Sequence, residues 1–546
     1  MFIEPVFGKK FFGREEILAT LHKRVTAIKG GYRQNLALTG PMLAGKSSIL
    51  RHFLGSVRSS DIVPIYIEMN GEDFRSFSTR FMASLLYQYL VSEGRQPYPE
   101  FDRLREECAE ALPVTLRQID AICEALDRKK ENGAYEKLLD ITSIFKCETG
   151  KKCIVILDEF HNLANFNLKK PFQVFGKFIM VQKNTMYIVS SSQKTLLKEI
   201  LSEKLSLLFG NFEVIDVDGF DNQTARSFIS EEAKDAPVPD DITSYIIQLS
   251  QGNPFYLETI LKRFSEKARS SGDQGRRDPK ECLLDSLAEL LYQSDGILNQ
   301  YFTNTINFFL EKKARKTLIN VLVSIARGNS QIKSMRRDMA KSDRALGEKL
   351  EKLKSMDLID KNGVFYKIQD RLFEFWLRNV HSLKAETLVD DMDIKYLEFR
   401  DTVDRDFLEF CQFNSLGAEA TVRMLFSSFR NERVCLNMND RKMPLFGDVD
   451  SRRLSGNVSE IAGVVDNSSW VCHVKEGDIM EENDILCLSG QKNIQRGTKI
   501  VRKIAVPLGG IEHTAFLLAK ENNIWVWDIK KLNRMLRLYG KFELVL

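Results

Sequence analysis

The chain has 546 residues, 43% hydrophobic and 28% charged, which excludes a disordered or fibrous protein and leaves room for roughly three or four globular domains. A net charge of +4 is too small for a nucleic-acid surface spread over the whole chain, and the sequence offers no run of ~18 apolar residues that would suggest a membrane span. The nine cysteines run from Cys108 to Cys487 without a CxxC pair, which excludes a zinc ribbon and a disulfide framework and suits a reducing, cytoplasmic setting.

Residues 1–16, MFIEPVFGKKFFGREE, are charged early and lack the apolar stretch of a signal peptide. Residues 35–39 (NLALT) form a short apolar run, as a buried parallel strand requires. Then come Gly40-x-x-x-x-Gly45-Lys46-Ser47 and a helical stretch ending near Gly55. Strand, glycine loop, Gly-Lys-Ser and helix in that order is the context of a P-loop. Gly40, Pro41, Ala44 and Gly45 form a loop whose backbone curls around phosphate oxygens, the glycines leaving no Cβ in the way. Ser48 lies in the first turn of the helix, whose N-terminus aims its partial positive charge at the phosphates. Lys46 is expected at the β- and γ-phosphates and Ser47 on Mg²⁺. The plainer alternative is a glycine-rich turn, which the flanking strand and helix disfavour. The expected ligands are ATP and Mg²⁺.

A second strand is expected over 62–68 (IVPIYIE), followed by about 80 residues that read as helices. Phe and Tyr at helical spacing in 77–91 (FSTRFMASLLYQYLV) read as core. Residues 153–157 (CIVIL) are fully apolar and end in Asp158-Glu159. A carboxylate at such a tip, beside the P-loop strand, can hold Mg²⁺, and the adjacent glutamate can activate water. The alternative is a pair of acids capping the next helix. Residues 186–189 lead to Ser190-Ser191-Ser192-Gln193, where Ser191 and Ser192 are candidates to contact the γ-phosphate or, equally, to cap a helix. Residues 212–217 (FEVIDV) supply a fifth strand. The fold class is therefore α/β: a five-stranded parallel sheet with helices on both faces, followed by a helical lid, a winged-helix domain and a C-terminal α/β domain.

Four segments together resemble the archaeal-type ATPases of the STAND/AAA-like P-loop group: the P-loop, Asp158-Glu159, FFGREEI at 11–17 and GNPFYL at 252–257. In that group the FxGRExE-like box helps cradle the adenine, which implies Gly13 and Arg14, and the GNPxYL motif of the lid places Pro254 near adenine or ribose. Without the resemblance, Gly252 and Pro254 make an ordinary interhelix turn and Gly13-Arg14 a helix cap. The resemblance covers residues 1–270 well and 271–380 more loosely. The implied domains are 1–218 for the ATPase core, 219–311 for the lid, 312–380 for the winged helix and 381–546 for linker helices and the last domain.

Residues 315–368 read as three helices and a hairpin turning at Lys361-Asn362-Gly363. Residues 312–367 hold fifteen Lys/Arg against six Asp/Glu, so the rest of the chain is slightly acidic. That asymmetry points to double-stranded DNA bound through 333–354, with Arg336, Arg337, Lys341, Arg344, Lys349 and Lys352 at phosphates. The competing reading is a winged helix that controls the nucleotide domain, its lysines being solvated faces with a Glu348–Lys352 pair.

The last domain resembles the PD-(D/E)xK nucleases in degenerate form, through Glu460-Ile461-Ala462, Trp470 to Lys475 and the closing IWVWDIKKLNRMLRLYG. Ala462 and His473 stand where that nuclease carries its acids, leaving Lys475 and Glu419. No nuclease activity is expected, because a lone lysine cannot hold a metal.

The leading reading is an ATP-hydrolysing regulatory switch using Glu159, Lys46, Ser191 and Ser192, with metal at Ser47 and Asp158. One alternative is a DNA-bound motor; another is a non-hydrolysing nucleotide-binding scaffold, which Glu159 disfavours. A homo-oligomer or protein partner is compatible with all three.

Overall fold

The computed structural model describes residues 4–57, 59–205, 212–234, 236–269, 277–310, 314–339, 342–386, 392–436, 439–454, 456–491 and 498–545. The chain divides into two compact units: Met1–Phe220 with Asn253–Phe255, and Asp221–Gly252 with Tyr256–Leu546.

In the first unit, β1 (Asn35–Thr39), β2 (Ile62–Glu68), β3 (Lys152–Asp158), β4 (Thr185–Ser191) and β5 (Phe212–Asp216) form one sheet in the order β2-β3-β4-β1-β5. Every neighbouring pair is parallel. Period-two alternation sends Leu36, Leu38, Ile154, Ile156, Met186 and Ile188 to one face, against Leu21, Val25, Ile49 and Phe53 of two helices. Ala37, Val155, Tyr187 and Val189 face the other way. The long excursion between β2 and β3 is four helices: Phe74–Ser92, Phe101–Cys108, Pro113–Asp127 and Glu131–Thr149. Asp73 caps the first by accepting from the Ser76 N–H, and Pro113 opens the third. Phe77, Phe81 and Tyr89 are buried there as core.

The sheet order corrects one expectation: the Asp158 strand is not the neighbour of the P-loop strand. β4 lies between them, pairing Ala37 with Val189 on one side and Leu157 with Val189 on the other. The serine-rich end of β4 therefore stands at the middle of the site's floor.

In the second unit, helices Asn222–Glu232, Asp240–Ser250, Pro279–Leu291 and Ile297–Phe309, with most of Pro254–Arg269, precede the basic segment. That segment is three helices, Arg315–Ala326, Ile332–Met339 and Asp343–Ser355, then an antiparallel hairpin of β6 (Ile359–Asn362) and β7 (Phe365–Ile368). Strands β8 (Arg433–Leu436) and β9 (Asn439–Lys442) form a second hairpin. A mixed five-stranded sheet follows: β10 (Asp448–Arg453), β11 (Val458–Val465), β12 (Ser468–Lys475), β13 (Lys499–Pro507) and β14 (Trp525–Val526). Its first three strands are antiparallel and its last three parallel. One face packs on Val422, Leu425 and Phe426 of helix Gly417–Ser427 and on Leu532 and Met535 of helix Ile529–Leu538. The other packs on Ile485, Leu488, Ala515 and Ala519. Among the described residues, no helix is long and apolar enough to cross a membrane.

Candidate functional site: the strand ends around the P-loop

β1 delivers the chain into the loop at Gly40, and helix Lys46–Ser56 leaves it. Leu43 and Gly45 have φ of 62° and 93°, the left-handed kinks that close the loop. Gly40 has a second constraint beside the one its spacing suggests. A Cβ there would lie 2.1 Å from the Val217 carbonyl oxygen, so the glycine permits the close approach of the chain end after β5. Ala44 is fully buried, and Pro41 is exposed at the rim.

Lys46 is 4% exposed, and its Nζ donates to the carbonyls of Gly40 (2.9 Å) and Pro41 (2.8 Å). Burial pushes its ammonium down, and Glu159 and Asp158 oppose the push. The Ser47 hydroxyl has no hydrogen bond among the described residues. The Ser48 hydroxyl accepts from the Val6 N–H at 3.0 Å, tying the N-terminal segment to the helix.

Asp158 is fully buried at the end of β3. Its Oδ1 accepts from the Ser190 hydroxyl and, at 3.1 Å, from the Glu159 N–H. Its Oδ2 accepts from the Tyr66 hydroxyl at 2.8 Å. Burial and then the Asp158 charge push the Tyr66 phenol upward, so it remains a donor. Arg51 lies over the Tyr66 ring at 5.2 Å and pairs with Glu68 at 3.4 Å. Tyr66 and Ser190 therefore orient the carboxylate expected on the metal. Tyr66 is visible in sequence only as a tyrosine within an apolar strand; nothing local reveals that it meets Asp158.

Glu159 adopts φ 53°. Its Oε2 accepts from the Ser192 N–H (2.9 Å) and hydroxyl (2.8 Å) and lies 3.3 Å from His161 Nδ1. Ser191 Oγ lies 2.9 Å from the same ring nitrogen. Both serines thus meet the candidate site through hydrogen bonds to the histidine and the acid. His161 escaped the sequence reading because a histidine in the turn after β3 carries no pattern of its own.

Gly13 and Arg14 have φ of 64° and 72°. The Arg14 guanidinium donates to the Asp218 carbonyl (2.5 Å) and the Ala44 carbonyl (3.2 Å) and covers the Phe220 ring at 4.7 Å. It braces the P-loop against the end of β5. Pro254 Cγ lies 3.9 Å from the position of a Cβ on Gly45, so the proline reaches the loop. The donor set suits Mg²⁺: one free hydroxyl and one oriented carboxylate, both hard oxygens, with phosphate and water left to complete an octahedron. Among the described residues no group of three His, Cys, Asp or Glu could hold a metal by itself.

Elsewhere, Arg336 pairs with Asp343 (3.6 Å) and Arg344 with Glu348 (3.5 Å). Lys341 lies outside the described residues. In the C-terminal sheet, Glu460 on β11 opposes His473 on β12. It binds Arg452 (2.7 Å) and Gln491 (2.6 Å), Lys475 pairs with Asp484 (2.8 Å), and Glu419 accepts from Ser459 (3.0 Å). In sequence Glu460 falls within the nuclease-like pattern, which gives its carboxylate no role.

Residues 11–260 match the model of an ATPase domain predominantly from Archaea. An uncharacterized ATP-binding protein of Methanocaldococcus jannaschii is 22% identical over 287 residues, 47% of this chain and 70% of that protein. A second from the same organism is 23% identical over 277 residues, 46% of this chain and 72% of that one. The solved structure of a Walker-type ATPase of Pyrococcus abyssi is 19% identical, covering 68% of this chain and 97% of its own at a TM-score of 0.47. The ORC2 protein of Aeropyrum pernix, solved as ADPNP and ADP complexes, is 11% identical, covering 70% and 98% at a TM-score of 0.44. The loop, the carboxylates and the match over residues 11–260 agree in making this part of the chain similar to an archaeal-type ATPase domain.

Proposed function

We propose that this chain hydrolyses ATP and uses the cycle as a conformational switch. The observation that carries the reading is the convergence, on one set of strand ends, of Lys46, the free Ser47 hydroxyl, oriented Asp158 and Glu159. Lys46 would leave its two loop carbonyls for the β- and γ-phosphates. Ser47 and Asp158 would hold Mg²⁺, which supplies charge neutralisation on the phosphate oxygens. Glu159 would take a proton from the attacking water as its oxygen bonds the γ-phosphorus and the bond to the leaving ADP oxygen breaks. Gly13, Arg14 and Pro254 would line the nucleoside side.

The chain itself passes between the two units at the lid motif. Asn253–Phe255 belong to the P-loop unit while Gly252 and Tyr256 belong to the other. The Tyr256 hydroxyl donates to Asp370, which caps helix Arg371–Trp376 directly after β7. A pull on Pro254 therefore acts on the helix that carries Tyr256.

The test is a pair of variants. Lys46→Ala is expected to weaken ATP binding at least 100-fold, and unchanged affinity rejects the site. Glu159→Gln is expected to bind ATP normally and turn over roughly 100-fold or more slower; normal turnover removes Glu159 from the mechanism.

The charge excess of the basic segment favours a second reading, binding of double-stranded DNA by a winged helix at 312–380. The β6–β7 hairpin, its wing, is held by the C-terminal domain: Val364 N–H donates to the Arg433 carbonyl (3.1 Å), Cys435 N–H to Asn362 (2.7 Å) and Arg537 to the Gln369 carbonyl (2.7 Å). Arg336 and Arg337 on one helix and Arg344 on the next would then be available to phosphates, and all three are exposed. Salt-dependent duplex binding that is lost in Arg336→Glu/Arg337→Glu would establish this reading; no binding at low salt would remove it.

A further inference from the structure

Resting on the hydrolytic reading above, the geometry points to His161 as the positioning residue of Glu159, acting through a ring tautomer that Gln193 sets.

Two donors hold one oxygen of the Glu159 carboxylate, and the His161 ring stands beside it. Oε2 takes the Ser192 N–H at 2.9 Å and the Ser192 hydroxyl at 2.8 Å, and His161 Nδ1 stands 3.3 Å away. Among the described residues Oε1 has no hydrogen bond. A carboxylate anchored by one oxygen presents the other, with its lone pairs free, in a fixed direction. That is what a base needs if it is to meet a water already lined up with the γ-phosphate.

His161 can serve as an anchor only if its proton is on Nδ1, and the surroundings select that form. The Gln193 amide nitrogen lies 3.1 Å from Nε2. An amide NH₂ can only donate, so Nε2 accepts and the neutral ring carries its proton on Nδ1. Ser191 closes the circuit. Its hydroxyl donates to the Gln193 carbonyl at 3.2 Å, which leaves Oγ to accept at 2.9 Å from the same Nδ1–H that faces Glu159. Ser191 Oγ also accepts the Gln193 N–H at 3.0 Å. The ring is 8% exposed. Burial pushes the imidazole down, so it stays neutral at physiological pH and keeps the donor–acceptor pattern Gln193 imposes.

The groups facing His161 are thus Glu159 from its own turn and Ser191 and Gln193 from the end of β4, with the charges of Lys46 and Asp158 behind them. Glu159 itself sits at φ 53°, a conformation that a glutamate adopts only when its surroundings hold it. Its N–H is held by Asp158 and Ser190 (3.1 and 3.3 Å), and its side chain by Ser192, with His161 Nδ1 3.3 Å away.

Three variants test this in the full chain, with steady-state ATP hydrolysis and ATP affinity read together. His161→Leu removes the donor and is expected to lower kcat roughly 10- to 100-fold while KM for ATP stays within about threefold, as for a base moved off its line. His161→Asn puts an amide N–H near the place of Nδ1–H and is expected to recover most of the lost kcat. Gln193→Leu touches neither Glu159 nor the phosphate loop, yet it frees the tautomer; its kcat is expected to fall about 3- to 10-fold. Equal kcat in wild type and His161→Leu overturns the inference, as does an equal fall in the Leu and Asn variants. If His161→Leu does not fold, the Asn and Gln193→Leu variants decide: wild-type kcat in Gln193→Leu overturns it. Wild-type turnover no higher than that of Lys46→Ala would instead overturn the hydrolytic reading on which this rests.

Discussion

Replacing Gly40 by alanine separates two roles for the first glycine of the loop, phosphate cradling and strand approach. The added Cβ would lie 2.1 Å from the Val217 oxygen, 2.9 Å from its carbonyl carbon and 3.4 Å from its Cα. All three are backbone atoms, so no side chain can swing away. Ordinary carbon contacts begin near ~3.5 Å, so the two chain segments must part by roughly 1 Å. They are tied at that point by the Val217 N–H donating to the Thr39 carbonyl at 2.7 Å. Overpacking costs about 1–3 kcal/mol and a weakened hydrogen bond about 0.5–1.5 kcal/mol, so the loss is about 2–4 kcal/mol. All four tryptophans lie beyond residue 375, so tryptophan fluorescence does not report on the P-loop unit. Hydrogen exchange of peptides covering 35–39 and 212–217, without nucleotide, does. Gly45→Ala is the control: its φ of 93° penalises alanine by about 1–2 kcal/mol, but the only atom near the new Cβ is Pro254 Cγ at 3.9 Å. Faster exchange in the 212–217 peptide is expected for Gly40→Ala and not for Gly45→Ala. A Gly40→Ala protein within about 0.5 kcal/mol of wild type would refute the reasoning.

Tyr66→Phe removes the donor on Asp158 Oδ2 and is expected to raise the Mg²⁺ concentration for half-maximal ATPase activity tenfold or more, as loss of a ligand-orienting partner does; an unchanged Mg²⁺ titration would detach Tyr66 from the site. Arg14→Ala strands the carbonyls of Ala44 and Asp218 and uncovers Phe220, and thermal unfolding is expected to show a loss of about 1–3 kcal/mol. Glu460 in the C-terminal sheet is 3% exposed. Burial alone would raise its carboxyl, but His473, Gln491 and Arg452 together hold it down to about 2. A lowered folded-state value stabilises the protein above the unfolded value near 4.5 and is lost as pH falls toward 2. Glu460→Gln should therefore cost about 1–3 kcal/mol at pH 7, discounted because Arg452 is half exposed, and the gap to wild type should close between pH 4.5 and 2. A gap that does not change with pH would assign the loss to packing.

Sequence alone determined the strands of the first sheet, the glycine loop and the two carboxylates. Each is a short-range pattern: fully apolar runs bury both faces of a parallel strand, and phosphate chemistry demands fixed residue types at fixed spacing. In the C-terminal domain the runs 460–465, 470–474, 499–507 and 523–527 read as strands from sequence, and β11 to β14 lie there. Strands β9 (NDRK) and β10 (DVDSRR) were not legible, because edge and surface strands carry charge without apolar alternation. Tertiary structure decided what lies between and behind the motifs. It put β4 between the P-loop strand and the Asp158 strand, since pairing order is set by crossovers that leave no mark in the strands themselves. It brought Tyr66 to Asp158 across 92 residues and Ser192 to Glu159 across 33. It also gave Gly40, Ser48 and Arg14 structural partners that their motifs do not announce. A motif names the atoms that must meet a ligand; the neighbours that aim those atoms are chosen by packing, where sequence distance carries no information.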